Sequence, residues 1–141
     1  MKRAFIFLVI IFLINIPSIY YGWYIKLWWI DIVFHFLGGF FVAIFMADYL
    51  KNHLIKREPI KNALIIAGAT VFIGVVWEFS EYIGNQTLIE PFYRWFKIRV
   101  YFMGDLKDTV ADLLLDILGA ISFTVLHFLW RRNSHQGQTL T

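Results

Sequence analysis

The chain has 141 residues, enough for one domain, and 60% of them are apolar, with a mean hydropathy of +0.64. A soluble domain of this size could not bury so much apolar surface, whereas lipid can cover it. The absence of cysteine excludes disulfides and thiolate metal sites. The net charge of +3 comes from short basic clusters between apolar runs, which is typical of membrane topology and argues against nucleic-acid binding.

Four apolar stretches are each long enough to cross the roughly 30 Å hydrocarbon layer as a helix. They predict an all-α integral membrane four-helix bundle, one domain over residues 1–132, followed by a polar tail over 133–141. No small-residue cleavage site follows the basic start, so we expect the first stretch to be retained rather than removed as a signal peptide. In chain order, the first to fourth spans cover about 4–24, 27–50, 63–83 and 109–130.

Basic residues concentrate on one side of this four-span arrangement. Lys2–Arg3, Lys51–Lys61 and Arg131–Arg132 would all lie at the same membrane face. Because basic loops stay on the inner side, we expect a plasma-membrane protein with both termini cytoplasmic.

The connection between the third and fourth spans is then extracytoplasmic, and it mixes aromatic with basic residues. Trp and Tyr favour the headgroup level of a bilayer, and basic side chains reach lipid phosphates. The sequence favours an interfacial anchor here. The alternative is a lid in which Arg94, Lys97 and Arg99 bind an anionic substrate.

Acidic residues and histidines occur inside the apolar spans, where ionisable groups are costly and usually mark function. Asp48 and His127 lie toward the cytoplasmic ends of their spans. At 1.5 Å per helical residue, the others lie within about 12 Å of the extracytoplasmic end. The spacing, i, i+4 in the second and fourth spans and i, i+3 in the third, places each set on one helix face, which small residues continue. The set comprises Asp31 and His35 in the second span, Glu78 and Glu81 in the third, and Asp108, Asp112 and Asp116 at the start of and within the fourth.

So many carboxylates cannot all stay ionised in a low dielectric without a compensating cation. Asp, Glu and His suit a divalent ion such as Mg²⁺, Mn²⁺, Fe²⁺ or Zn²⁺, and helical bundles build metal sites from inward carboxylates. We therefore predict a metal site in a hydrolase or transferase that acts on a lipid or lipid-linked cell-envelope substrate. The predicted ligands are Asp31, His35, Asp108, Asp112 and Asp116, and the predicted catalytic residues are Glu81, the general base, and Glu78.

Two other functions fit the same residues. Protonated acids and the histidine can form a polar network that only holds the helices together, or they can carry protons or cations across the membrane. No acidic pathway continues into the cytoplasmic half, which argues against transport. Six acids near one end of the bundle exceed what a bundle of this size needs for packing. Membrane lipids are the expected partners, and the oligomeric state is left open.

Three ordered motifs resemble those of the YjdF-like family of small membrane proteins: DIVFHFLGG at 31–39, WEFSEY at 77–82 and DTVADLLLDILGA at 108–120. The pattern is also similar to the VanZ-like family, which is linked to glycopeptide resistance. That family tends to have Gln in place of Glu81 and Asn in place of Asp116, so the YjdF-like family fits better. The resemblance covers the second to fourth spans and implies an envelope protein with four to six spans, without implying a reaction.

The topology can be tested with single cysteines, because the chain has none of its own. An impermeant thiol reagent applied to intact cells should label Gln86→Cys, in the third connection, and leave Ser134→Cys unlabelled. Labelling of Ser134→Cys alone would reverse the predicted orientation.

Overall fold

The computed structural model describes residues 1–55, 58–102 and 104–137, and within them all regular secondary structure is helical. The all-α prediction is therefore confirmed. In chain order the helices are α1 (Lys2–Tyr21), α2 (Trp23–Lys26), α3 (Trp29–Tyr49), α4 (Pro59–Thr87), α5 (Ile89–Phe96) and α6 (Leu106–Gly137).

The four long helices correspond to the four predicted spans. Each is long and apolar enough to cross a membrane, over Lys2–Tyr21, Trp29–Tyr49, Pro59–Thr87 and Leu106–Phe128. Together they form a helical membrane bundle with one end at α5, called here the α5 end, and the chain termini toward the other.

The helix limits differ from those predicted because backbone hydrogen bonding does not stop where an apolar run stops. Pro59 begins α4 ahead of residue 63, since a proline at the first helical position needs no partner for a backbone N–H. α6 continues through the polar residues to Gly137, past the predicted end at residue 130. Residues 138–141 of the predicted tail, and Lys56 and Arg57 of the predicted basic cluster, lie outside the described residues.

The connection between α4 and α6 is more ordered than a loop, because it contains α5 and folds back on the end of α4. The Asn85 side-chain oxygen accepts a hydrogen bond from the Phe102 N–H at 2.8 Å. The Phe102 ring covers Gly84, where an added Cβ would lie 3.1 Å from the ring, and Val100 is fully buried. The connection therefore caps the α5 end of the bundle.

Helix α3 is central to the bundle and packs against α1, α4 and α6. Its closest neighbour is α6, where glycines let the two backbones touch. A Cβ on Gly39 would lie 2.6 Å from the Cα of Asp116, and one on Gly119 would lie 2.7 Å from the Phe40 nitrogen. Side chains are excluded from both positions, so this contact requires glycine.

Large apolar side chains point away from these contacts. On α4, for example, Leu64, Phe72 and Phe79 are each more than 60% exposed. In a membrane this face meets lipid, which removes the penalty that the same side chains would incur in water.

The glycine contact can be tested against a matched position. Gly119→Ala should destabilise the protein by about 1–3 kcal/mol or more, because its methyl group would overlap the α3 backbone. Gly68→Ala on α4 meets nothing within 4 Å and should be neutral or slightly stabilising. Thermal unfolding of both variants in detergent is the measurement. Equal unfolding temperatures would contradict the close contact.

Candidate metal centre

His35 lies at the centre of a polar cluster between α3 and α6. Its side chain is 8% exposed, and both of its nitrogens face carboxylates. Nε2 lies 3.7 Å from Asp31 Oδ1, one turn earlier on α3, and 3.9 Å from Asp112 Oδ2 on α6. Nδ1 lies 3.7 Å from Asp116 Oδ1, also on α6. The i, i+4 spacing on two facing helices thus joins four predicted site residues.

Three of these side chains could hold a metal ion. One ligand atom each from Asp31, His35 and Asp112 lies within 4.8 Å of the others. Atoms at these separations share a centre roughly 2.4 Å from each, within the approximately 2.0–2.6 Å range of Zn²⁺, Mg²⁺ and Ca²⁺ contacts with nitrogen and oxygen. His35 and Asp112 are buried and Asp31 is half-buried, so a ligand reaching the triad meets little competing water.

Asp116 lies on the other side of the imidazole ring from this triad. Its carboxylate faces Nδ1, and Gly74 of α4 leaves room for it, because a Cβ at Gly74 would overlap the Asp116 side chain. The sequence grouped Asp116 with the metal ligands. Its position suits a different task, since a carboxylate opposite Nδ1 orients a histidine whose Nε2 is free to bind an ion. The spacing on α6 could not reveal which nitrogen each Asp would face.

Glu78 adds a buried carboxylate from α4. It is 5% exposed, and its Oε1 atom has no hydrogen-bond partner among the described residues. The Thr109 hydroxyl of α6 is buried beside it and is a hydrogen-bond donor within reach of the Glu78 carboxylate. Thr109 gave no signal in the sequence, where a threonine at a helix start resembles a capping residue. Glu78 Oε1 remains an acceptor next to the triad that a cation could satisfy.

Glu81 lies one turn nearer the α5 end than Glu78 and is half-buried. It is close enough to interact electrostatically with His35, Asp31 and Glu78, and the Trp77 side chain is also a neighbour. The two predicted catalytic residues therefore border the triad without belonging to it.

Asp108 stabilises the start of α6 instead of joining the triad. Its Oδ2 atom accepts the Gly104 N–H at 3.0 Å, in the turn that precedes the helix. Asp105 Oδ1 accepts the N–H groups of Lys107 and Asp108 at 2.9 and 3.1 Å. These are the bonds that acidic residues make to unsatisfied N–H groups at a helix start. Repetition at i+4 placed Asp108 on the correct helix face but could not show this local bonding.

The three predicted substrate-binding residues lie on and just after α5, with exposed side chains. Arg94 pairs with Glu90 at 3.7 Å, and Lys97 and Arg99 approach the Tyr93 ring at 6.0 and 5.7 Å from its centre. Within the described part of the chain, none of them forms an ion pair with the acids of the cluster. α5 itself is strongly amphipathic.

Fold and site together define a helical membrane protein with a largely buried Asp/His/Asp group. The chain belongs to the family described as Predicted membrane protein (DUF2238), which it matches over residues 2–133. This match includes α1, which the motif resemblance did not cover.

One similar protein is an uncharacterised protein of Thermotoga maritima. The identity is 27% over 132 residues, covering 88% of this chain and 64% of the relative. The chain thus spans slightly less than two thirds of that relative's length. No solved structure matches the chain.

Proposed function

We propose that Asp31, His35 and Asp112 bind one divalent metal ion, and that the protein uses this ion on a lipid or lipid-linked cell-envelope substrate. The observation that carries the proposal is the spacing of the three ligand atoms, all within 4.8 Å of one another and contributed by two helices. An ion at their centre would satisfy all three groups at once.

The same spacing argues against a purely structural network. The distances of 3.7 and 3.9 Å from His35 Nε2 to the Asp31 and Asp112 oxygens exceed the roughly 2.7–3.2 Å of an N–H···O hydrogen bond. Side chains whose role is to hold helices together would gain most by closing that gap. Side chains around an ion must instead stay apart, because each contacts the ion rather than its neighbour.

Charge supports the same conclusion. Within the described residues, Lys51, Lys61 and Arg94 pair with acids outside the cluster, namely Asp48, Glu58 and Glu90. The carboxylates around His35 have no lysine or arginine ion pair in that part of the chain. A divalent ion would compensate them in a region where water cannot.

The neighbouring residues have distinct roles in this proposal. A bound ion would polarise an acyl or phosphoryl oxygen and activate water, which is the usual chemistry of such ions. Glu81, half-buried toward the α5 end, is placed to exchange protons with solvent, and Glu78 borders the ion from α4. Asp116 orients the His35 ring from the other side.

The amphipathic α5, with its exposed aromatic and basic residues, fits contact with lipid headgroups at the membrane surface. We infer a plasma-membrane location with α5 outside and both termini inside, from the basic clusters alone. We also propose that the protein is related to the YjdF-like family and, more weakly, to the VanZ-like family. We infer no resistance role from the second similarity.

Metal content tests the proposal directly. Wild-type protein purified without chelator should contain about one divalent ion per chain by elemental analysis, and added ion should raise its unfolding temperature. Asp112→Asn and His35→Gln should lose the ion while remaining folded in detergent. The matched controls are Glu90→Gln and His53→Gln, at two exposed positions, and both variants should retain the metal ion.

Asp116→Asn separates an orienting role from a ligand role. It should weaken metal affinity about 10- to 100-fold rather than abolish binding, as is usual when a histidine loses its orienting carboxylate.

Two results together would contradict the metal proposal and favour a purely structural network. The wild-type protein would contain no metal and would not be stabilised by Mg²⁺, Mn²⁺ or Zn²⁺, and Asp112→Asn would be tolerated. A cation flux in liposomes that Asp112→Asn abolishes would favour transport.

A further inference from the structure

Helix α1 leaves a lateral gap in the bundle. It packs against α3, but in the described part of the chain its backbone does not approach α4. The rings of Phe12 on α1 and Trp77 on α4 meet edge-to-face across the gap, with centres 6.2 Å apart. The gap lies within the membrane-spanning part of both helices, so lipid is what faces it.

A cavity of about 260 Å³ lies behind these two rings, between α1, α3 and α4. Its walls are mostly apolar, and His35 and Asp116 of the polar cluster are among the residues that line it. The apolar walls include Ile11, Phe12, Val42, Ile73 and Trp77. A volume of this size admits a segment of one hydrocarbon chain rather than a whole lipid.

Asn15 provides the polar group of the cavity wall. Its side chain is only 9% exposed, yet it makes no hydrogen bond with any described residue. A buried amide in a membrane-spanning helix normally finds a partner, because an unpaired one is costly in a low dielectric. A ligand in the cavity would supply that partner.

We propose that this cavity binds an acyl chain of a membrane glycerolipid, with the ester carbonyl accepting a hydrogen bond from the Asn15 amide. Charge decides between lipid classes. A phosphate drawn this deep would be repelled by Asp116 and the neighbouring carboxylates, whereas a neutral carbonyl would not. A polyprenyl chain offers Asn15 no acceptor along its length.

This proposal names the substrate class of the metal centre and so rests on the proposed function. A lipid entering sideways between α1 and α4 would bring its carbonyl group beside His35 and Asp116. Chain binding itself requires no metal, and the two proposals can therefore fail separately.

Photolabelling tests where the chain binds. The full-length protein is reconstituted in phosphatidylglycerol vesicles that contain a phosphatidylglycerol with a photoreactive diazirine in its acyl chain. Peptides carrying the cavity residues of α1 and α4 should be labelled in the wild type. Ile11→Trp, which fills the cavity, should lose most of that labelling. Ile10→Trp, at an exposed neighbouring position on α1, should keep it. Should Ile11→Trp fail to fold, Val42→Phe fills the same cavity from α3.

A competition experiment tests the carbonyl contact. Labelling should be about three- to tenfold weaker in host vesicles of ester-linked phosphatidylglycerol than in host vesicles of its ether-linked analogue, which lacks the carbonyl and competes less well, as expected for one neutral hydrogen bond. Asn15→Leu should erase that difference. Equal labelling of Ile11→Trp and Ile10→Trp, or preferential labelling by a diazirine-bearing polyprenyl phosphate, would overturn the acyl-chain proposal.

The metal-site variant Asp112→Asn distinguishes the two proposals. It should be labelled as the wild type is, even where it has lost its metal. Labelling without any metal in the wild type would overturn the metal proposal and leave the acyl-chain site standing. Bound metal without labelling of the cavity would overturn the acyl-chain proposal and leave the metal proposal standing.

Discussion

The close contact between α3 and α6 determines where the acids of this protein can meet. Helices packed through ordinary side chains lie about 8–10 Å apart, and Gly39 and Gly119 remove the side chains that would hold these two at that distance. The contact falls at the level of Asp116, so His35 on one helix reaches carboxylates on the other. A bulkier residue at either glycine would separate the groups that form the triad.

The polar cluster imposes a second requirement, which is compensation of charge. Basic side chains lie at the helix ends and in α5, where they meet water or headgroups, and the described ones pair with local acids there. Among the residues that the structure describes, the carboxylates around His35 have only that imidazole nearby as a possible positive charge. Glu78 adds a buried oxygen with no partner in the described residues. A protein that retains such groups in lipid has to protonate them or bind a cation.

Helix α1 has a different relation to the bundle from the other three long helices. It contacts α3 along one side and leaves most of its apolar surface exposed, including Phe5, Phe12 and Leu13. The cavity behind it joins the lipid-facing side of the molecule to the polar cluster.

The amino-acid sequence by itself determined the all-α class, the four spans and the common depth of the acids. Length, apolarity and helical rise depend only on the chain. The sequence also placed Asp31 with His35, and Asp112 with Asp116, because residues four apart share a face of a helix. Only the tertiary structure decided which carboxylate faces which imidazole nitrogen, since that depends on the rotation and separation of α3 against α6. The tertiary structure also showed that Asp108 bonds to the turn before α6, that Glu78 Oε1 is buried beside the triad, and that a cavity lies beside Asn15. The last two follow from contacts between helices, which no single-helix pattern contains.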